Sequence, residues 1–174
     1  TIPYNLPKLY LPKYKFHYVR HDLVPQLISL FRADQIVTIS QSSVRDIKRL
    51  FKRRNVTHLP LIVSHAQPKT KVIPKDQFVY IGGENPRKRV DNLLKAFAGF
   101  VTDHSSYRLV LIGKGYEVYN DLMTELGIND KVGMPGYVSE EEKYDTISAS
   151  RAIVYPSMYE GYGLEIAEGI LADV

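Results

Sequence analysis

The sequence predicts an α/β fold in which a Rossmann-like parallel sheet is covered by flanking helices. After residue 76, short β-branched segments alternate with amphipathic helical segments, and the first two apolar segments end in glycine. Alternation of this kind is typical of parallel strands joined by crossover helices. The 174 residues, 44% hydrophobic and 24% charged, suit a globular protein that needs no disulfide. The absence of cysteine excludes a disulfide framework, a cysteine-based zinc site and a cysteine nucleophile.

The first third of the chain predicts a loop, two helices and a strand. Residues 1–20, rich in proline and tyrosine, predict an irregular loop, and residues 21–31 predict a helix with Pro25 in its first turn. The β-branched residues 35–39 predict a buried strand. The next helix has Ser40 or Ser42 as its N-cap and carries a basic face. This basic face consists of Arg45, Lys48, Arg49, Lys52 and Arg53.

The basic face and the formal net charge of +4 favour an anionic partner without choosing one. A solvated outer face is the commoner meaning of such a helix. Peripheral contact with an anionic membrane is our secondary hypothesis, and we expect no nucleic-acid partner. No run of residues approaches the ~20 apolar residues of a membrane span, so we expect a cytoplasmic protein.

Residues 63–76, punctuated by prolines, predict an interdomain linker between a domain over residues 1–62 and a second domain over residues 77–174. The second domain has predicted strands at residues 78–81, 107–112 and 152–155, and a short segment around Val132. Its helices are predicted over residues 87–101 and 116–126, from the Ser-x-x-Glu capping box at Ser139, and from Leu164.

Two glycine turns follow the first two strands of this domain. Ligands of such sheets bind at the carboxyl ends of the strands, where loop amides and helix N-termini converge. The first turn offers close backbone approach and three cations, which suit a diphosphate but are also common in a solvated turn. Its residues are Gly82, Gly83, Arg87, Lys88 and Arg89. The second turn, with Gly113 and Lys114, can approach a phosphate or a flat base, or can simply be a turn.

Two carboxylates, Glu160 and Glu168, flank a third glycine turn near the end of the sequence. Carboxylates accept paired hydrogen bonds from vicinal hydroxyls, so two of them beside amides that can hold phosphate suggest a sugar nucleotide. A capping glutamate plus a surface glutamate explains the pattern equally well. The turn between them consists of Gly161, Tyr162, Gly163 and Leu164.

Other chemistries fit less well. The sequence has no Asp-x-Asp pair for a metal-bound diphosphate and no Gly-x-x-x-x-Gly-Lys-Ser/Thr phosphate loop. Its five histidines lack the usual metal-ligand spacing, and Ser157 does not lie in a Gly-x-Ser-x-Gly hydrolase elbow. We therefore expect no metal site.

Several segments, in order, resemble retaining glycosyltransferases of family 4, which have the two-domain GT-B fold. Residues 33–40 resemble the strand "AD-x-I-V-x-x-S" near the end of that family's N-terminal domain, and residues 80–88 resemble its first strand and cationic loop of the C-terminal domain. Residues 109–115 are similar to "L-V-I-x-G-x-G", and residues 132–138 to "V-x-F-x-G-Y-V". Residues 156–168 resemble "P-S-x-x-E-G-F-G-L-P-x-x-E", the most specific of these segments.

The resemblance implies roles for the matching positions. Glu168 is expected to bind the ribose hydroxyls, Glu160 to lie near the transferred sugar, and Lys88 to bind the diphosphate. The amides from Gly161 to Leu164 are expected to bind phosphate and hexose, and Val138 to line the donor site. A departing nucleoside diphosphate gains negative charge, which a lysine and backbone amides can stabilise without a metal ion. Glu160 and Lys88 are thus the expected catalytic residues.

The sequence departs from the family pattern at three positions. Gly83 stands where many members have arginine, so Arg87 or Arg89 is expected to supply the second cation. Glu165 stands where proline is usual, and Asp173 where glycine is usual. The resemblance also implies that residues 1–62 are the tail of an acceptor-side domain and that residues 77–174 are a truncated donor-binding domain, so the sequence is expected to be a fragment.

The resemblance therefore implies a retaining hexosyltransferase that uses a UDP- or GDP-hexose as donor, needs no other cofactor, and acts on a glycan or lipid-linked acceptor in polysaccharide biosynthesis. Two alternatives remain open from the sequence. One is a non-catalytic module that binds a nucleotide sugar, and the other is a sugar-nucleotide epimerase of GT-B architecture.

Overall fold

The computed structural model describes residues 24–63, 73–158, 160 and 162–174. Its internal contacts divide the chain into two compact units, one comprising residues 1–62 with 159–162 and the other residues 63–158 with 163–174. The loop predicted over residues 1–20, most of the linker predicted over residues 63–76, and Gly161 lie outside the described residues.

The described part of the first unit contains a two-stranded parallel sheet and two helices: α1 (Val24–Arg32), β1 (Ile36–Thr38), α2 (Gln41–Phe51) and β2 (Val56–His58). Ile36 of β1 lies opposite Val56 of β2. Ser40 is the N-cap of α2, as predicted, because its hydroxyl accepts a hydrogen bond from the amide of Ser43 at 3.1 Å. Lys52 ends the helix in a left-handed conformation, with φ of 52°.

In its described residues, the second unit has a four-stranded, fully parallel sheet with strand order β5-β4-β3-β6. The strands are β3 (Gln77–Ile81), β4 (Arg108–Ile112), β5 (Val132–Gly136) and β6 (Ala152–Ile153). The helices are α3 (Val90–Asp103), α4 (Asn120–Glu125), α5 (Glu140–Ser148) and α6 (Leu164–Leu171). The predicted α/β class with a Rossmann-like parallel sheet is confirmed.

The central strand β3 is buried on both faces of the sheet, as expected where helices cover both sides. Tyr80 packs in one apolar cluster with Leu94 and Leu109, and Val79 packs in a second cluster with Ile147. Tyr80 and Val79 are both fully buried. The two clusters thus cover both faces of β3, from whose carboxyl end the first glycine turn leaves.

The helix predicted over residues 87–101 begins later than expected. Pro86–Lys88 forms a 3₁₀ turn, which the amide of Arg89 closes by donating to the carbonyl of Pro86. Arg89 has φ of 51°, a left-handed conformation that interrupts the helix, so α3 starts at Val90. The helix predicted over residues 116–126 consists of a 3₁₀ turn at Tyr116–Tyr119 that continues directly into the short α4, with no left-handed residue between them.

The segment around Val132 is an edge strand of the sheet. Its sequence contains Gly133 and Pro135, which weaken the apolar pattern of a strand, and its pairing with β4 shifts register between Val110 and Ile112. An edge position tolerates proline because one side of the strand needs no hydrogen-bond donor. The edge strand thereby extends the carboxyl edge of the sheet to three glycine-terminated strands.

The last helix, α6, begins at Leu164 as predicted and lies flush against β6. Gly163 precedes it with φ of 81°, a conformation that glycine adopts without strain. A Cβ atom on Gly169 would lie 2.7 Å from Cδ1 of Ile153, so the absence of a side chain lets the helix approach the strand closely. Asp173, at the position where the family pattern has glycine, takes a left-handed conformation with φ of 56°.

Candidate functional site

The loops after β3, β4 and β5 lie side by side at the carboxyl edge of the sheet. The amide of Gly82 donates to the carbonyl of Ile112 at 2.9 Å, and the amide of Gly113 donates to the carbonyl of Gly136 at 3.0 Å. The amide of Glu84 donates to the carbonyl of Lys114 at 2.9 Å. Backbone pairing therefore continues beyond the strands and joins the two glycine turns that the sequence singled out.

The two glycine turns touch at Gly82 and Gly113. A Cβ atom on Gly113 would lie 1.6 Å from the carbonyl oxygen of Gly82, and Gly113 also has φ of 138°. The hydroxyl of Tyr116 contacts that same carbonyl of Gly82 and lies 3.0 Å from the carbonyl oxygen of Ile112. Burial raises the pKa of Tyr116, so its hydroxyl stays protonated and can donate. Glycine is thus required at residue 113 for the edge to close.

Lys88 carries its ammonium into this edge. Its Nζ atom donates to the hydroxyl of Tyr155 at 2.7 Å and to Oε1 of Glu165 at 3.1 Å. It also lies 4.9 Å from the centre of the Tyr155 ring, and a Cβ atom on Gly82 would be only 2.9 Å from it. The 3₁₀ turn, the segment after β6 and the first turn of α6 therefore hold one cation against the Gly82 backbone.

Glu168 lies one helical turn after Glu165 on α6 and has a separate set of partners on α5. Nζ of Lys143 lies 2.8 Å from its Oε1 atom, and the hydroxyl of Tyr144 donates to the same oxygen at 3.4 Å. Lys143 also lies 2.8 Å from Oε2 of Glu140. Burial alone would lower the pKa of Lys143, but its hydrogen bonds to Glu140 and Glu168 outweigh burial and raise that pKa. The carboxylate of Glu168 is thereby fixed in direction.

The two arginines proposed for a second cation differ in their surroundings. The guanidinium of Arg89 lies 3.2 Å from Oδ1 of Asp91 and donates to Oδ1 of Asn92 at 2.8 Å, so it is engaged by the first turn of α3. The carbonyl of Arg87 accepts a hydrogen bond from the amide of Met158 at 3.0 Å, which ties the cationic turn to the segment after β6. The choice of Arg87 or Arg89 stays a prediction.

The remaining predicted residues after β4 and β5 lie around the same edge. Nζ of the exposed Lys114 lies 4.4 Å from the centre of the Tyr137 ring. Val138 packs partly buried beside the apolar cluster of Ile147. Gly83 is exposed, and a Cβ atom there would lie 3.7 Å from the carbonyl oxygen of Lys114. These residues lie around the carboxyl edge of the sheet, which is lined by loop backbone and by the side chains of Lys88 and Lys114.

The third glycine turn is divided between the two units. Gly163 and Leu164 belong to the second unit. There the carbonyl of Gly163 accepts a hydrogen bond from the amide of Ile166 at 3.1 Å. Glu160 and Tyr162 group with the first unit, and there the hydroxyl of Tyr162 donates to the carbonyl of Leu61 at 3.4 Å. Gly161 falls outside the described residues.

Sequence reasoning missed three side chains of this edge: Tyr155, Lys143 and Tyr144. Each lies in an ordinary strand or helix pattern and matches no motif. Tyr155 is 67 residues from Lys88, and Lys143 is 25 residues from Glu168, so spacing along the chain gives no sign of either contact. The one usable signal was that Tyr155 ends the strand predicted over residues 152–155, because ligands bind at such strand ends.

Within the described residues, no three His, Asp or Glu side chains lie close enough together to hold a metal ion. None of the described helices is both long and apolar enough to cross a membrane.

Solved structures show that this fold is of the GT-B type. WaaG, a glycosyltransferase involved in lipopolysaccharide biosynthesis, matches with a TM-score of 0.73 and 16% identity over 91% of this chain and 50% of its own. The pneumococcal O-GlcNAc transferase GtfA, solved in complex with UDP and GlcNAc, also has a TM-score of 0.73, with 13% identity over 87% of this chain and 31% of its own. At such identities the likeness concerns the fold alone.

The chain belongs to the glycosyl transferases group 1 family, whose model matches residues 63–174. O-antigen chain mannosyltransferase B of Escherichia coli is 32% identical over 184 aligned positions, which cover 95% of this chain and 47% of that protein. The chain thus spans about half the length of this relative. The family rests on the match of its model, and the solved structures add the fold.

Proposed function

We propose that this chain forms the donor-binding half of a retaining hexosyltransferase of family 4, which transfers a hexose from a nucleoside diphosphate sugar to a glycan or lipid-linked acceptor. The observation that carries the proposal is the ammonium of Lys88, held between Tyr155 and Glu165 against the Gly82 backbone. A largely buried cation beside the residues that follow β3 and β6 suits a diphosphate.

The diphosphate binds at this edge through Lys88 and the amides at the start of α6. As the bond between sugar and phosphate breaks, negative charge accumulates on the leaving diphosphate. The Lys88 ammonium and the N-terminus of α6 stabilise that charge, and neither has to move to do so. This arrangement requires neither a metal ion nor a cofactor apart from the donor substrate.

The nucleoside binds farther along α6 and α5. Glu168 accepts hydrogen bonds from the ribose hydroxyls, and Lys143 and Tyr144 hold its carboxylate in the required direction. The backbone after β4, with Gly113 and Lys114, contacts the base. Glu160 and the amides from Gly161 to Leu164 contact the transferred hexose and its phosphate.

Retention follows when the acceptor hydroxyl attacks from the face that the diphosphate leaves. The acceptor is bound in large part by the N-terminal domain, of which residues 1–62 form the tail. Mannose is the first hexose to test, since the Escherichia coli relative is named a mannosyltransferase. UDP is tested as the donor nucleotide beside GDP because GtfA was solved with UDP. Assembly of a polysaccharide, as for the O-antigen chain of that relative, is the proposed context.

The decisive experiment is a donor screen with the complete protein. Release of nucleoside diphosphate is measured from UDP- and GDP-hexoses in the presence of glycan and lipid-linked acceptors, and the anomeric configuration of the product is determined by NMR. Turnover with a retained configuration supports the proposal. Nucleotide binding without turnover would favour a non-catalytic module, and interconversion of the free donor would favour an epimerase.

A further inference from the structure

The carboxylate of Glu165 lies beside the ammonium that the proposed function places on the diphosphate. The side chains of Lys88 and Glu165 retain only 12% and 21% of their exposure, so water screens the pair weakly. Lys88 has three N–H donors, and two of them point to Tyr155 and Glu165. In the described part of the chain these are its hydrogen-bond acceptors, which leaves one N–H for a ligand.

An anion bound at that third N–H also meets the charge of Glu165. A phosphate oxygen sits roughly 2.8 Å from a lysine nitrogen, which places it at most about 6 Å from the carboxylate oxygen that contacts Lys88. At that separation two negative charges repel appreciably when solvent is partly excluded. Lys88 and Glu165 together thus present a nearly neutral pair, with the cation nearer the ligand.

The donor and the product differ in charge at this position. In a nucleoside diphosphate sugar each phosphate carries one negative charge, because the terminal phosphate is esterified. Once the sugar is transferred, the terminal phosphate has a free second ionisation with a pKa of about 6 and gains another charge above that pH. Glu165 therefore repels the product more strongly than the donor.

We propose that Glu165 is a specificity-determining residue beside Lys88, whose charge favours donor over nucleoside diphosphate product and so speeds product release. This inference rests on the proposed function of the same site. Glu165 stands where the family pattern has proline. The inference gives this residue a role in the relative affinity for donor and product. Among the described residues, Lys88 is the charged group in hydrogen-bond contact with Glu165, and Lys88 in turn contacts Tyr155.

The test compares Glu165→Gln with the unaltered complete protein. The variant keeps the shape and a hydrogen-bond acceptor for Lys88 but removes the charge. We expect the inhibition constants of free UDP or GDP, whichever the protein binds, to fall about 3- to 10-fold at about pH 8. The KM of the donor should change less than about twofold. The difference in inhibition constant between wild type and variant should narrow near about pH 5.5, where the product loses its extra charge.

Glu125→Gln is the matched control, because it removes an equal charge from the exposed end of α4. Glu165→Pro is a second variant, which the first turn of a helix accepts. Equal changes in product and donor affinity, or no change in either variant, overturn the inference. If the wild-type protein still binds the nucleotide in that case, the proposed function stands. If the wild-type protein binds neither nucleotide, the proposed function and the inference both fail.

Discussion

Nζ of Lys143 lies 2.8 Å from Oε1 of Glu168, which joins the second turn of α5 to the middle of α6. Both side chains are largely buried, with 13% and 15% of their exposure remaining. The contact fixes where the carboxylate of Glu168 points before any ligand arrives. Lys143 is therefore an orienting residue for the proposed ribose contact.

Replacing Lys143 with methionine tests this orientation, because methionine keeps most of the stem packing but loses the ammonium. We expect Lys143→Met to raise the dissociation constant of the bound nucleoside diphosphate about 3- to 10-fold. Isothermal titration calorimetry measures it. Lys131→Met is the control. Lys131 lies just before β5, and its Nζ atom donates a hydrogen bond to the carbonyl of Ser105. Equal affinity in the two variants would contradict the role.

The pH dependence of stability tests the same contact. The pKa of Lys143 is raised in the folded state, so its stabilising contribution is fully present below the unfolded pKa of about 10.4 and is lost as pH rises through the folded value. We expect the difference in Tm between wild type and Lys143→Met to stay constant from about pH 6 to 9 and to shrink above about pH 10.5. Thermal melts across that range measure it, and a difference that shrinks already below pH about 8 would argue against the ion pair.

Lys88 is expected to dominate the chemical step. Lys88→Ala should lower kcat by about 10²- to 10³-fold, since it removes a preorganised cation from the leaving group. Lys88→Arg should recover only part of the rate, because the larger guanidinium meets the Gly82 backbone and Tyr155. Initial rates of nucleoside diphosphate release measure both variants. Lys95→Ala on the exposed side of α3 serves as control, and a similar loss there would remove Lys88 from its proposed role.

Two glycine substitutions should have opposite effects on stability. Gly113→Ala places a Cβ atom 1.6 Å from the Gly82 carbonyl oxygen and should destabilise by at least about 2 kcal/mol. Gly99→Ala lies within α3 with open space around it and should stabilise by about 0.5–1 kcal/mol. Urea denaturation measures both free energies of unfolding. A neutral Gly113→Ala would mean that the two turns can separate.

The cations predicted as the basic face of α2 carry the prediction of peripheral membrane contact, although Lys52 and Arg53 follow the helix, which ends at Phe51. Lys48 and Lys52 line one groove together with Arg53 and Arg54. Each cation near an anionic surface contributes about 1 kcal/mol, so the double variant Lys48→Glu/Lys52→Glu should abolish cosedimentation with vesicles that contain about one third anionic lipid. The double variant Lys95→Glu/Lys131→Glu controls for net charge. Wild-type sedimentation that is independent of anionic lipid would end this hypothesis.

Much of the fold could be predicted from short-range patterns. The alternation of apolar strands, glycine turns and amphipathic helices located the sheet, and the capping box at Ser139 is present, with Glu142 reaching back to the N-cap. Gly163 and the apolar residues that follow located the start of α6. These signals succeed because the residues that decide them are neighbours along the chain.

The rest depends on contacts between distant residues or on local conformation that composition hides. Arg89 interrupts a good helical pattern because the 3₁₀ turn that starts at Pro86 closes on its amide. The edge strand β5 contains Pro135, which the sequence pattern alone disfavours. The ion pair between Lys143 and Glu168 joins two helices whose order along the sheet only the fold defines.

The close fit of Gly169 against Ile153 has a practical consequence for engineering. Glu165 and Glu168 both project from α6, so the depth at which this helix sits on β6 sets the reach of both carboxylates at once. A methyl group at residue 169 would lie 2.7 Å from Cδ1 of Ile153, so either that side chain turns away or α6 shifts on β6. Gly169 is therefore a position outside the proposed donor site from which the carboxylates of Glu165 and Glu168 can be displaced without replacing either residue.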